Sequence, residues 1–203
     1  MRDIQKIQLP LNIDHDYKLW FGKYNGKTLD QVALLNYPYL DWLYTTSTYI
    51  NPKGKDTIRG LEVLLNSYVP NAVCSGENNC KNPATLISIA GDSRNGYSVG
   101  RGYIYCKVHK DNAFAYTPKA MIYPIEHQII KNFDGPPGHG AKYDVQNIQG
   151  VLNSLAGFGG VISKNRAAEF FSKLKIDLLT RIAASEEANI CADAQGFRQG
   201  TIF

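Results

Sequence analysis

Cys74, Cys80, Cys106 and His109 carry the sharpest chemistry in this sequence. Their spacing is C-x5-C, then 25 intervening residues, then C-x2-H. Thiolate sulfur and imidazole nitrogen are ligands that zinc takes readily, four of them in a tetrahedron. Four protein ligands leave no open coordination position, so the expected Zn2+ is structural and its binding energy belongs to folding. Two other readings use the same cysteines, one of them together with Cys191. Four cysteines in an oxidising compartment would pair as disulfides, and buried thiols beside an unrelated His109 are the plainest arrangement. The histidine just after Cys106 favours metal. So does the opening MRDIQKIQLPLNIDHDYK, which has no apolar stretch of signal-peptide type. Cys191 stands far away in a weakly patterned tail and reads as a free thiol.

A second chemistry is contact with a polyanion. Lys23 and Lys27 flank Tyr24 in FGKYNGK, which offers phosphate contacts around an aromatic face. Arg94 and Arg101, with Tyr97 and Tyr103, form a second basic and aromatic stretch. The net charge of +4 permits such binding, and several of the 13 tyrosines lie beside Lys, Arg or Gly. The alternatives are structural: Phe21 and Tyr24 packing on Trp42, and Arg94 to Arg101 forming a solvated hairpin. Hydrolytic chemistry has less to stand on. Asp14, His15 and Asp16 lack the companion carboxylates of a two-metal nuclease and read as a solvated turn. GPPGHG around His139 lacks the Lys-Ser/Thr of a phosphate loop. His127 reads as structural, and no nucleophile sits in a recognisable elbow.

These residues need elements to place them. Residues 1–20 have strand character at Ile4, Ile7, Leu9 and Leu11. Gly22 and Gly26 bracket a tight turn. Thr28 and Gln31 make a capping-box pair, so a helix is predicted from about Leu29. Tyr37-Pro38 breaks it, and Pro38 opens a second helix carrying Leu40, Trp42 and Leu43. A linker with Asn51, Pro52 and Gly54 leads to a third, with Ile58, Leu61, Leu64, Leu65 and Tyr68 on one face, ended by Pro70. ATLISIAG and GYSVGRGYIYC read as two strands joined by the turn DSRNG, with cysteines flanking both. AFAYTPKAMIYPI has strand or extended character, interrupted by Pro118 and Pro124, and FDGPPGHGAKYD is a loop. Val145, Ile148, Val151, Leu152 and Leu155 then predict a helix stopped by GFGG, residues 157–160. A last helix starts near Ser163 with Ala167, Phe170, Phe171, Leu174, Leu178 and Ile182.

The features Phe21-Gly22-Lys23-Tyr24, Gly26-Lys27, a short helix, then Tyr39-Leu40-Asp41-Trp42-Leu43 together resemble the small carboxy-terminal domain of exodeoxyribonuclease X. Similar domains occur in short bacterial and phage proteins. The likeness covers residues 19–69, about a quarter of the chain. It implies a small accessory fold that contacts nucleic acid, without an exonuclease active site.

The expectation is an α+β protein in three parts: a small helical module (1–70), a zinc-stapled β-hairpin of ribbon or knuckle type (71–125) and a helical carboxy-terminal region (126–203). No apolar run approaches the roughly 20 residues that span a bilayer, so a cytoplasmic protein with no membrane role is expected. The leading function is non-catalytic binding of DNA or RNA, or an adaptor role, by a phage or bacterial accessory protein. Lys23, Tyr24, Lys27, Arg94 and Arg101 would make the contacts. A protein–protein module using the two carboxy-terminal helices is the second reading. A metal-dependent nuclease using Asp14, His15 and Asp16 is the third.

Overall fold

The computed structural model describes residues 11–68, 72–76, 79–89, 103–109, 121–124, 149–150 and 153–199. In chain order these form α1 (Leu29–Leu35), α2 (Tyr37–Thr45), α3 (Pro52–Ser67), β1 (Leu86–Ile89), β2 (Tyr103–Tyr105), β3 (Met121–Pro124) and α4 (Lys164–Gln199). Mixed helix with a small antiparallel sheet is the α+β architecture expected. Among the described residues, no helix is long and apolar enough to cross a membrane.

Local signals in the sequence set the first three helices. Thr28 Oγ1 accepts from Gln31 N–H, and Gln31 Oε1 accepts from Thr28 N–H, which closes the predicted capping box on α1. Asn36 ends α1 through its own N–H and begins α2 through its side chain, which accepts from Tyr39 N–H. Pro38 lies in the first turn of α2, where its missing N–H costs nothing. The expected linker before α3 is instead its cap. Asn51 Oδ1 accepts from Gly54 N–H and Pro52 is the first helical residue. The strand character expected before residue 20 falls partly outside the described residues. Within them, residues 11–20 hold only an isolated bridge between Lys18 and Thr28.

The sheet has the order β2-β1-β3, both pairings antiparallel, and Met121–Pro124, from the segment read as strand or extended, forms the third strand. Its register sorts the side chains. Ile87 faces Ile104 across β1 and β2, and both pack on the helical core. Leu86 faces Tyr105, and both belong to a separate cluster with Cys74 and Cys106. Because side chains alternate along a strand, one face of the sheet meets the helices and the other meets the cysteines.

The carboxy-terminal helix differs most from expectation. It runs 36 residues, through the segment read as a weakly patterned tail and through Cys191. Ala167, Phe171, Leu174 and Leu178 form its buried stripe, in one core with Leu29, Val32, Leu61, Leu64 and Leu65. Helices from the first and last parts of the chain thus share a single core, with α4 packed on α1 and α3. Of the helix predicted before it, Val145, Ile148, Val151 and Leu152 lie outside the described residues, whereas residues 149–150 and 153–155 are helical.

Candidate metal centre

Two chain segments bring the four predicted ligands together. Residues 72–84 fold back on themselves through bonds from Cys74 N–H to Asn82 O and from Ala84 N–H to Ala72 O. Ser75 N–H and Thr85 N–H then bond Ile104 O and Tyr105 O, which fastens this loop to β2. Cys106 follows β2 directly, and a turn from His109 N–H to Cys106 O aims the imidazole back at the thiol. One donor atom from each of Cys74, Cys80, Cys106 and His109 lies within 4.8 Å of every other. The cysteines form no disulfide.

The donor geometry fits a metal ion. His109 Nδ1 lies 3.6 Å from Cys74 Sγ and 3.5 Å from Cys106 Sγ. A tetrahedral zinc with its usual sulfur and nitrogen bond lengths would hold such a pair about 3.6 Å apart. Backbone N–H groups of Gly76 and Cys106 point at Cys74 Sγ from 3.3 and 3.2 Å, and the Asn82 amide points at Cys106 Sγ. These sulfurs are already arranged as acceptors, the role of a metal thiolate. Burial opposes ionisation of Cys106. The backbone N–H groups of His109 and Val108, with Cys74 and Asn82, outweigh it and bring the thiol down to about 6. Cys80 responds the other way: the Asn82 backbone bond lowers its pKa, but burial and the thiols of Cys74 and Cys106 raise it on balance. Gly76 completes the cradle. A Cβ there would stand 2.6 Å from both Cγ and Nδ1 of His109, so only glycine admits the ring. The sequence pattern marks all four clustered donors but not Gly76, whose role depends on a residue 33 positions away.

The basic and aromatic turn forms as expected, with Gly22 and Gly26 at positive φ. Leu19 N–H bonds Lys27 O, and Gly26 N–H bonds Leu19 O, closing the loop. Tyr24, however, is buried with its ring centroid 5.0 Å from that of Tyr39, so a base could stack on it only by displacing Tyr39. Lys23 Nζ sits 5.2 Å from the Tyr24 ring centre. Tyr24 reaches Trp42 only through Tyr39. The most exposed rings here are Trp20 and Tyr49, neither singled out by the sequence pattern, and Trp42 is exposed to a lesser degree. Arg94 and Arg101 lie outside the described residues.

Asp14, His15 and Asp16 do not converge. Asp14 pairs with Lys53 and Asp16 with Lys164, which holds both carboxyls below their ordinary range. His15 lies in the expected turn but is half-buried, with its Nδ1 2.7 Å from Oδ2 of the fully buried Asp30. Burial pushes the Asp30 carboxyl up to about 6, against the opposing hydrogen bond from His15. On the other side of the ring, Ser172 Oγ lies 3.4 Å from His15 Nε2. Ser172, His15 and Asp30 thus stand in the order of a hydrolase triad. Ser172, however, lies inside α4, where backbone N–H groups are bonded along the helix and cannot receive an oxyanion. The arrangement instead clamps residues 11–17 to α1 and α4.

Comparison of the chain with family models, with curated proteins and with solved structures returned no match.

Proposed function

We propose that the protein is a non-catalytic nucleic-acid-binding module in which Cys74, Cys80, Cys106 and His109 hold a structural zinc ion. The donor set supports zinc: three sulfurs and one imidazole match its preferred ligands, and all four positions are taken by protein. With no position left for water or substrate, the ion fixes the loop 72–84 against β2 and activates nothing.

The observation that carries the nucleic-acid reading is the charge of the turn. Residues 17–27 contain Lys18, Lys23 and Lys27 and no acidic side chain. None of the three forms an ion pair among the described residues. Cations left unpaired on one closed loop suit a phosphate backbone. The resemblance of residues 19–69 to the accessory domain of exodeoxyribonuclease X points to the same class of partner. Arg94 and Arg101, outside the described residues, are a second candidate contact.

The test is fluorescence anisotropy of labelled DNA and RNA with the zinc-loaded chain across a salt series. Binding should weaken steeply with salt, and replacing Lys23 and Lys27 together by Ala should flatten the slope by about two counterions. The melting temperature should hardly change. A flat salt response would favour a second reading, an apolar protein interface. The exposed Ile176 and Leu179 on α4 support that alternative.

A further inference from the structure

We propose that Trp20, Phe21 and Tyr49 form a stacking platform that selects a single strand of nucleic acid over a duplex. The proposal rests on the nucleic-acid reading above and names its partner more narrowly.

Apolar side chains exposed singly are ordinary, whereas clustered ones mark an interaction surface, and Trp20 is 65% exposed and Tyr49 59% exposed. They are not scattered. The Trp20 and Phe21 ring centroids lie 5.2 Å apart, Trp20 and Tyr49 5.9 Å apart, and Phe21 and Tyr49 5.0 Å apart. Each ring props the other two. The cluster joins the start of the glycine-lysine turn to the loop between α2 and α3, and both segments are anchored. Leu19, just before Trp20, is buried, as are Ser47 and Ile50 on either side of Tyr49. Tyr49 N–H also bonds Ser47 Oγ. The platform therefore exists before a ligand arrives, and little ordering entropy is lost when it binds.

Charge and shape together choose the occupant. Trp20 and Phe21 belong to the same segment as Lys18, Lys23 and Lys27, and residues 42–50 carry no charged side chain of either sign. Aromatic faces beside unpaired cations match a ligand that offers flat π-surfaces and phosphates alternately along one chain. In a duplex the base faces are stacked on one another and out of reach, so the rings can engage only unpaired bases. A proline-rich peptide would also dock on aromatic rings, but it gives the lysines nothing to bind.

The experiment compares fluorescein-labelled dT15, rU15 and a 15-base-pair DNA duplex for binding to the full zinc-loaded chain. Single strands should bind about tenfold or more tightly than the duplex. Replacing Trp20 and Tyr49 together by Leu should lose about tenfold or more on the single strands and almost nothing on the duplex. The Lys23 and Lys27 double substitution should weaken all three. A second measurement needs no change to the platform. The chain has two tryptophans, Trp20 and Trp42, so in Trp42→Phe the tryptophan emission is that of Trp20. Stacking on dT15 should quench it. Equal binding of dT15 by the Trp20 and Tyr49 variant, together with unquenched emission in Trp42→Phe, would overturn the platform and leave the nucleic-acid reading standing. Absence of binding to all three probes at low salt would remove both.

Discussion

At the scale of single residues, the least expected behaviour belongs to Asp30. A carboxylate in the first turn of a helix is ordinary, but this one is fully buried against His15 with one oxygen lacking a hydrogen-bond partner. Its folded pKa of about 6 stands above its ordinary 3.8. The folded chain therefore holds a proton between about pH 4 and 6 that the unfolded chain releases. The sign follows: stability owed to Asp30 is present at low pH and lost as pH rises through about 6. Asp30→Asn removes this titration. Between pH 6.5 and pH 4, wild type should gain roughly 2–3 kcal/mol relative to the variant, as read from denaturant midpoints at each pH. A constant difference across that window would show that Asp30 does not titrate there.

At the scale of elements, the join between α1 and α2 shows how a break in one helix is stabilised by another part of the chain. Where Asn36 interrupts the helix, Tyr37 N–H donates to Gln149 Oε1 at 3.1 Å, and Gln149 Nε2 donates to Ala33 O at 3.4 Å. One side-chain amide thus takes the place of a peptide link in the helical ladder. Asn153 Nδ2 supplies a donor alone, to Leu34 O. Both residues are buried, so the backbone groups at this join have no water to turn to. Gln149→Leu should destabilise the chain by about 1–3 kcal/mol in equilibrium urea unfolding, because it strands a buried donor and a buried acceptor together. A loss within a few tenths of a kcal/mol would mean that the Tyr37 and Ala33 groups find other partners.

At the scale of the whole molecule, the sheet is the boundary between two differently stabilised regions. Its Ile87 and Ile104 face belongs to the helical core, and its Leu86 and Tyr105 face belongs to the cysteine cluster. Among the described residues the helical side contains most of the buried apolar side chains and should stand without a metal ion. Among the described residues the cysteine side has few buried side chains, so an ion held by the proposed site would contribute to its stability. The purified chain should contain one zinc per molecule, and Cys106→Ser should lose it. Chelation should leave the 222 nm ellipticity nearly intact while amides of Cys74, Thr85 and Cys106 lose protection in hydrogen exchange. Global loss of helix on chelation would instead make the two regions one cooperative unit.

Short-range signals made much of this molecule legible from sequence. Thr28 with Gln31 and Pro38 work within three or four residues, and their physics is the same in any chain that contains them. The cysteine and histidine spacing is similarly informative, because few other arrangements satisfy two close pairs of soft ligands separated by strands. Tertiary structure alone decided the rest. Gln149 and Asn153 are ordinary polar residues until packing carries them more than a hundred positions back to the ends of α1. His15 looked solvated because its partners, Asp30 and Ser172, lie on two different helices. Tyr24 and Trp20 stand four residues apart on the same turn, yet one is buried and the other exposed. Sequence marks both as aromatic, but which ring meets protein and which meets water depends on where Tyr39 and Tyr49 arrive. That is settled only when the helices close on a common core.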